Sequence, residues 1–354
     1  MKQNKNIIIK NIYYMLSYAF TSLNRGEYDN VSAEDFDNIH NLFAAILSKG
    51  VSYQLKQGLY REYNDKEEDL SVVRGKIDMP GTIQNQIARK RIVTCEYDEL
   101  SENNLLNQIV KTSVFLLLNS GTVKKEYKDA LKKEMLFFAE VDIIDPRTIR
   151  WSSIRFQRNN RSYVMLIGVC QLLLQGLLQT TEKGEHKLLS FIDDQAMNRL
   201  YEKFLLEYYR VEHPELKAEA SYIDWQLDDD NDDLLPAMKT DITLSRKYSS
   251  DNRYFIIDAK YYSHTTQSQF DKHSIHSSNL YQMFAYVKNK EYELKNDSHE
   301  VAGMLLYAET EDDIQPDNKY QMSGNTIYVK TLDLNKDFSE IRKQLDAISN
   351  SFFG

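Results

Sequence analysis

The chain has 354 residues, of which 42% are hydrophobic and 12% aromatic, and it carries a formal net charge of −9 and two cysteines. This composition excludes an intrinsically disordered chain, and the cysteine count excludes a disulfide scaffold or a cysteine-based zinc site. The start has only a short apolar triplet, unlike a signal peptide, and no apolar run approaches membrane-spanning length. We therefore expect a cytoplasmic protein with no membrane partner.

Helical and extended patterns alternate through the first 150 residues. Apolar side chains recur at helical spacing over 11–20, behind Asn11 as a candidate N-cap. Further helices are predicted over 35–54, 99–118 and 124–138, and extended segments over 58–63, 70–79 and 91–97, with a charged loop at 64–69. The stretch 142–161 has little periodicity and contains Pro146 and several arginines, which is typical of a linker. The sequence thus predicts two domains, residues 1–150 and 151–354.

One extended segment of the first domain carries a glycine between two basic residues, Arg74-Gly75-Lys76. A glycine inside a strand marks a bulge or a close approach of another backbone. The segment is either a recognition element or simply an exposed hairpin.

The second half alternates strands and helices more regularly. Helices are predicted over 163–178, 194–213, 278–286 and 338–352, and strands over 188–192, 240–244, 254–261, 301–307 and 325–329. Within the strongly apolar strand 254–261 lie Asp258 and, two residues later, Lys260. Side chains two apart in a strand share a face, so this carboxylate and this ammonium group project together.

The turn between the two strands of this hairpin sets their register. A turn centred at Ser249-Ser250 places Asp241 opposite Asp258, with Cα atoms roughly 4.5–5.5 Å apart. Two carboxylates at that distance repel by about 4 kcal/mol at an effective dielectric constant near 20. A divalent cation with oxygen ligands would offset this repulsion. The alternative is a half-buried salt bridge between Asp258 and Lys260.

Two neighbouring helices offer further polar groups. The helix before the hairpin carries Glu202 and Glu207, either of which could be a third acid, although each could equally be a solvated helix residue. In the helix after it, Gln282 and Tyr286 are four residues apart and share a face.

The order D…DxK followed by QxxxY resembles the PD-(D/E)xK nuclease core, although Met238-Lys239-Thr240-Asp241 lacks the literal Pro-Asp. With these pieces, six segments together resemble the McrC family. They are Asn11-Ile12-Tyr13-Tyr14-Met15-Leu16, Val73-Arg74-Gly75-Lys76-Ile77, Asp98-Glu99-Leu100-Ser101-Glu102-Asn103, Thr240-Asp241-Ile242, Ile257-Asp258-Ala259-Lys260-Tyr261-Tyr262 and Asn279-Leu280-Tyr281-Gln282.

The resemblance implies an α/β fold class, with an α+β N-terminal domain and a C-terminal PD-(D/E)xK restriction-endonuclease-like mixed sheet flanked by helices. It implies the nuclease subunit of a 5-methylcytosine-dependent McrBC restriction system, cleaving double-stranded DNA that carries modified cytosine. Asp241, Asp258 and the backbone carbonyl of Ala259 would hold Mg²⁺, Lys260 would act on the attacking water, and Gln282 would support the site.

The resemblance also implies a partner, an McrB-like AAA+ GTPase, and the chain itself has no P-loop motif. The N-terminal domain would dock on that GTPase, with Arg74, Gly75 and Lys76 as the expected contact. Two alternatives remain at this point: a stand-alone DNA nuclease, and a catalytically silent adaptor of a motor complex.

Overall fold

A six-stranded mixed sheet organises the C-terminal half of the chain in the computed structural model, which describes residues 2–20, 36, 38–183, 194–229, 233–249, 251–261, 266–269, 272–309 and 315–354. Its strands are β4 (Lys217–Glu219), β7 (Ile242–Lys247), β8 (Asn252–Lys260), β11 (His299–Ala308), β12 (Asp317–Met322) and β13 (Asn325–Leu332). The spatial order is β12-β13-β11-β8-β7-β4, with β8, β11 and β13 mutually parallel and the other pairs antiparallel. Two small ribbons accompany it: β5 (Tyr222–Ile223) with β6 (Met238–Lys239), and β9 (Thr266–Gln269) with β10 (Lys272–Ile275).

The central strand β8 reads as a continuous apolar run because both of its faces are covered. Phe255, Ile256 and Ile257 are fully buried. Ile256 packs with Met283 and Val287 of helix α8 (Ser277–Glu293), which connects the ribbon to β11. Phe255 stacks on Phe352 of the last helix, α9 (Phe338–Phe353), with ring centroids 4.8 Å apart. Helices on a mixed sheet confirm the expected α/β class.

Helix α7 (Asp194–Glu212) packs with α9 and with the first helix, α1 (Lys2–Ala19). The Tyr209 hydroxyl donates to the Leu345 carbonyl at 3.1 Å, and the Tyr18 hydroxyl donates to Glu212 at 2.6 Å. Asn11 is not the predicted N-cap: it lies within α1, where its buried amide donates to the carbonyls of Leu334 and Lys336 at 2.7 and 2.8 Å. The predicted N-cap is wrong because the helix begins at Lys2, so Asn11 lies inside it and its amide binds these two distant carbonyls.

The other helices and strands belong mainly to the first half of the chain. They are α2 (Ile39–Gln57), β1 (Glu62–Leu70), β2 (Lys76–Asp78), α3 (Met79–Ile87), β3 (Val93–Ser101), α4 (Leu105–Asn119), α5 (Lys125–Met135) and α6 (Tyr163–Lys183). The strands form an antiparallel sheet in the order β1-β3-β2. The predicted charged loop at 64–69 is therefore wrong, because these residues pair with β3 along their full length. Glu99 likewise lies in β3, and helix α4 begins only after the Asn104 cap.

Two compact units emerge from the contacts: residues 1–42 with 175–354, and residues 43–174. This division differs from the predicted one, 1–150 and 151–354, in that helix α1 and the C-terminal part of the chain form one unit. The physical reason is the packing of α1 against α7 and the two Asn11 hydrogen bonds. The predicted strand at 188–192 lies outside the described residues. In the described part of the chain, no helix is both long and apolar enough to cross a membrane.

Candidate active site

The β7–β8 hairpin has the register expected from its turn. Ile242 lies opposite Ile257, and the ladder continues to Lys247 opposite Asn252. The turn is closed by a hydrogen bond from the Tyr248 amide to the Asp251 carbonyl at 2.8 Å. Asp241 immediately precedes β7, so the same register brings it to Asp258. The predicted pairing of the hairpin is confirmed.

Asp241 is held against β8 by its own carboxylate. Its Oδ2 accepts a hydrogen bond from the Ala259 backbone N–H at 2.9 Å. The preceding residue, Thr240, is buried, and its amide donates to the Ser221 carbonyl at 2.9 Å. The Thr240 and Thr243 hydroxyls lie 2.9 Å apart, and the Ser221 hydroxyl donates to Thr243 at 2.8 Å. This buried hydroxyl cluster anchors the bend from which the Asp241 side chain emerges.

Asp258 and Lys260 share a face, as their spacing predicts. Asp258 is only 2% exposed, and Lys260 Nζ lies 2.8 Å from its Oδ2. That oxygen is fully buried, and the adjacent ammonium group compensates its charge. The contact is a buried ion pair that leaves coordination capacity on the carboxylate.

The electrostatics of the two aspartates reflect burial and mutual repulsion. Burial, opposed by the attraction of Lys260 and reinforced by the charge of Asp241, raises the pKa of Asp258 to about 7. Burial also raises the pKa of Asp241, while Lys260 and the Ala259 N–H favour its ionised form. Two such acids titrate as a coupled pair that readily holds one proton between them. A bound cation would replace that proton.

The donor set suits Mg²⁺. This hard cation binds oxygen and commonly keeps several waters while using only one or two protein carboxylates. Within the described ranges, no group of three or more His, Cys, Asp or Glu side chains is arranged to hold a metal. Two aspartates, one of them almost fully buried, therefore fit a partly hydrated Mg²⁺ better than a closed structural zinc site.

Of the two candidate third acids on helix α7, Glu202 is the one that interacts electrostatically with the aspartate pair. Burial, reinforced by the charges of Asp241 and Asp258 and opposed by Lys260, raises the pKa of Glu202 to about 7. The Glu202 carboxyl therefore lies in the electrostatic field of these three residues. Glu207 instead pairs with Arg210 at 2.6 Å. Asn198, one helical turn before Glu202, donates to Glu202 and accepts from the Tyr261 N–H at 2.8 Å. Asn198 thus links the helix to the residue after Lys260.

Gln282 and Tyr286 also meet, as their four-residue spacing predicts. The Gln282 amide donates to the Tyr286 hydroxyl at 2.8 Å, and that hydroxyl donates to the Lys239 carbonyl at 3.0 Å. Burial raises the pKa of Tyr286, and the charges of Asp258 and Asp241 add to the rise. The pair therefore supports the chain segment that leads into Asp241.

Arg74, Gly75 and Lys76 lie in the other compact unit. Arg74 sits over the Tyr97 ring at 4.0 Å and 3.6 Å from Glu99, while Lys76 pairs with Glu96 at 3.0 Å. Gly75 has φ +70, and a Cβ there would lie 2.5 Å from the Glu96 carbonyl oxygen. The predicted close backbone approach is confirmed. Both basic side chains remain more than half exposed.

Sequence reasoning missed Asn198, the Ser221–Thr240–Thr243 cluster and Lys239. Asn198 could have been found, because it lies four residues before Glu202 on one helix face. Ser221 could not, since it is 19 residues from Thr240 and only the pairing of β5 with β6 brings them together.

Comparison with known proteins identifies the family of this chain. A family model described as "McrBC 5-methylcytosine restriction system component" matches residues 2–308. The Escherichia coli K12 protein described as "Type IV methyl-directed restriction enzyme EcoKMcrBC" is 27% identical over 344 residues, which is 96% of each chain.

Two solved structures from Thermococcus gammatolerans are also similar. In a half-complex of McrB AAA+ hexamers with bound McrC, the matched chain is 19% identical at a TM-score of 0.50, covering 96% of this chain and 76% of that one. A chain of the McrBC complex solved by cryo-EM is 24% identical at a TM-score of 0.42, covering 57% and 58%. The first likeness supports the fold, and the family match over most of the sequence assigns the family. The chain belongs to the family of McrBC 5-methylcytosine restriction system components.

Proposed function

We propose that this chain is the DNA-cleaving subunit of an McrBC-type restriction complex, hydrolysing phosphodiester bonds with Mg²⁺. The observation that carries the proposal is the group formed by Asp241, Asp258 and Lys260 at one end of a buried strand. A buried and a half-buried acid beside an ammonium group cost stability, and ionisable groups perturbed in this way cluster at functional sites.

Each residue has a definite part in this chemistry. Asp241 and Asp258, with the Ala259 carbonyl, would hold the ion, which supplies Lewis-acid activation of the scissile phosphate when bound. Lys260 orients the attacking water and stabilises the negative charge that develops on the phosphate. Gln282 and Tyr286 keep the Lys239–Asp241 segment in place through the Lys239 carbonyl. Glu202 is placed to exchange a proton with water near the two aspartates.

We further propose that an McrB-like AAA+ GTPase delivers double-stranded DNA carrying modified cytosine. The similar Thermococcus structure contains McrC bound to McrB AAA+ hexamers, and this chain lacks a P-loop motif of its own. Among the described residues, 14 of the 20 exposed large apolar side chains lie in the unit 43–174. This unit therefore offers more apolar side chains to a protein partner than the other one does.

The test is a cleavage assay on methylated and unmethylated DNA, with and without the GTPase partner and GTP. We expect methylation-, GTP- and Mg²⁺-dependent cleavage by the wild type, and a loss of at least a hundredfold in Asp258→Asn bound to its partner. Asp317→Asn is the control, because Asp317 is a surface residue of the edge strand β12 and pairs with Lys330. Cleavage at the normal rate by Asp258→Asn would refute the assignment.

The same assay separates the alternatives. Cleavage without the partner would indicate a stand-alone nuclease. GTP turnover stimulated by a wild-type protein that never cuts would indicate a silent adaptor.

Arg74 and Lys76 are proposed to contact the GTPase. The double variant Arg74→Ala/Lys76→Ala should reduce GTP turnover by the reconstituted complex while leaving the fold intact, since both side chains are exposed. Arg61→Ala is a matched control: its side chain is 56% exposed, against 54% for Arg74, and pairs with Glu102 in the same unit. Unchanged stimulation by the double variant would remove this role.

A further inference from the structure

A small ribbon beside the aspartate pair carries an exposed aromatic ring and an exposed ammonium group. β5 and β6 pair so that Tyr222 lies directly opposite Lys239. We propose that Tyr222 and Lys239 form a contact for the DNA backbone next to the scissile phosphate. The inference rests on the proposed nuclease function and identifies a substrate-positioning element of the same site.

Lys239 offers a cation close to the aspartate pair. It is exposed, and no carboxylate pairs with it in the described part of the chain, whereas Lys217, Lys290 and Lys330 each have an acidic partner. It lies two residues before Asp241, a span of at most about 7 Å along the backbone. An available ammonium group next to the proposed metal site is well placed for a phosphate.

Tyr222 adds an aromatic surface. Tyr222 is 67% exposed, and the Lys239 ammonium lies 5.7 Å from the centroid of its ring. An exposed ring can pack against a deoxyribose or a splayed base, and such stacking is independent of base identity. Together the two groups offer one charged and one apolar contact to a nucleic-acid strand.

The ribbon is held in position by contacts that leave both side chains accessible. The Lys239 carbonyl accepts from the Tyr286 hydroxyl at 3.0 Å, and the Thr240 amide donates to the Ser221 carbonyl at 2.9 Å. The Trp225 indole N–H donates to the Pro236 carbonyl at 2.7 Å, closing the connection between the strands. A preorganised contact of this kind loses little conformational entropy on binding.

The net charge makes local basic groups important. The chain carries −9 overall, so DNA phosphates are attracted only where cationic side chains are concentrated or unpaired. The alternative is that Lys239 is an ordinary solvated lysine that does not affect DNA affinity. A second lysine–tyrosine pair in the same unit, Lys295 and Tyr292, serves as the control for this alternative. Lys295 lies 3.7 Å from the ring centroid of the exposed Tyr292, near the C-terminal end of α8.

The experiment measures duplex DNA binding by the complex with its GTPase partner, in the cleavage-deficient Asp258→Asn background, as salt is raised. We expect Lys239→Ala to weaken binding about five- to tenfold and to reduce the slope of log affinity against log salt by about one, as for the loss of one phosphate contact. Tyr222→Ala should weaken binding without changing the slope, and Tyr222→Phe should restore it. Lys295→Ala and Tyr292→Ala should bind as the parent does.

In the cleaving wild-type background, Lys239→Ala should raise KM more than it lowers kcat. An unchanged affinity and salt slope in Lys239→Ala, or an equal loss in Lys295→Ala, would overturn the inference. Cleavage by Asp258→Asn itself tests the nuclease assignment, whereas the affinity and salt slope of Lys239→Ala test this contact, so the two failures are told apart by different readouts.

Discussion

The Asp241 carboxylate accepts a hydrogen bond from the backbone N–H of Ala259, the residue between Asp258 and Lys260, at 2.9 Å. One side chain thus ties the entry of β7 to the end of β8 and brings all three polar groups of the site together. The bond also directs Asp241 toward Asp258 instead of solvent. The geometry of the site therefore depends on the hydrogen bond between Asp241 and the Ala259 N–H. Asparagine at position 241 could still accept this hydrogen bond, whereas alanine could not.

Asp241→Asn and Asp241→Ala should separate the chemical role from the structural one. Both should lose at least a hundredfold in cleavage, because the cation loses a charged ligand. Asp241→Asn can still accept the Ala259 N–H, so its free energy of unfolding should stay close to that of the wild type. Asp241→Ala should lose about 1–2 kcal/mol of stability through the unpaired N–H. Cleavage rates and denaturant unfolding measure the two effects.

If Asp241→Asn cleaves DNA normally, the carboxylate is not a metal ligand. If Asp241→Ala is as stable as the wild type, the Ala259 contact has no structural importance.

Glu202 and Glu207 give a matched pair on one helix. We expect Glu202→Gln to lower the cleavage rate by about ten- to hundredfold, because this carboxyl lies in the field of the two aspartates and could exchange protons with water. Glu207→Gln should leave the rate unchanged, since Glu207 pairs with Arg210. Single-turnover cleavage by the complex measures both. Equal losses in the two variants would argue that the helix contributes only to folding.

Removal of metal should destabilise the protein in a pH-dependent way. Burial raises the pKa of Asp258 to about 7, so its contribution to stability is fully present below its ordinary pKa, near 4, and is lost as pH rises through 7. Mg²⁺ binds the ionised pair and offsets this loss. At about pH 8 and a hundredfold excess over its Kd, Mg²⁺ should add about 2.7 kcal/mol to the free energy of unfolding. Near pH 5.5 the gain should be much smaller.

Thermal unfolding with Mg²⁺ or with a chelator measures the effect, and the double variant Asp241→Asn/Asp258→Asn is its control. A Mg²⁺-induced rise in Tm of equal size in the double variant would place the ion elsewhere.

Gly75→Ala should destabilise the unit 43–174. The glycine has φ +70, and an added Cβ would lie 2.5 Å from the Glu96 carbonyl oxygen, so the Arg74–Lys76 segment must move. Such strain costs about 1–3 kcal/mol. Gly121→Ala in the same unit is the control, because its Cβ position is open. Differential unfolding of the two variants checks this, and equal stabilities would show that the segment yields without cost.

Local sequence patterns were sufficient to predict several features of the second half of the chain. The alternation of apolar and polar residues and the turn at Ser249-Ser250 were enough to predict the hairpin register, since strand pairing in a short hairpin depends on nearby residues alone. The D-x-K spacing and the Gln282–Tyr286 spacing placed their side chains on common faces for the same reason. Errors arose where distant partners decided the outcome, as when β3 turned the charged segment 64–69 into a strand.

The sequence by itself determined most helices and strands of the second half and the common face of Asp258 and Lys260, because these depend on short-range periodicity and on residue types. The α/β class followed from the resemblance to a nuclease family. Only the tertiary structure brought Glu202 into the electrostatic field of the two aspartates, placed Asn11 under the carbonyls of Leu334 and Lys336, and set Lys239 and Tyr222 beside the site. Those choices depend on contacts between residues far apart in the chain, and the packing of helices on the sheet creates them.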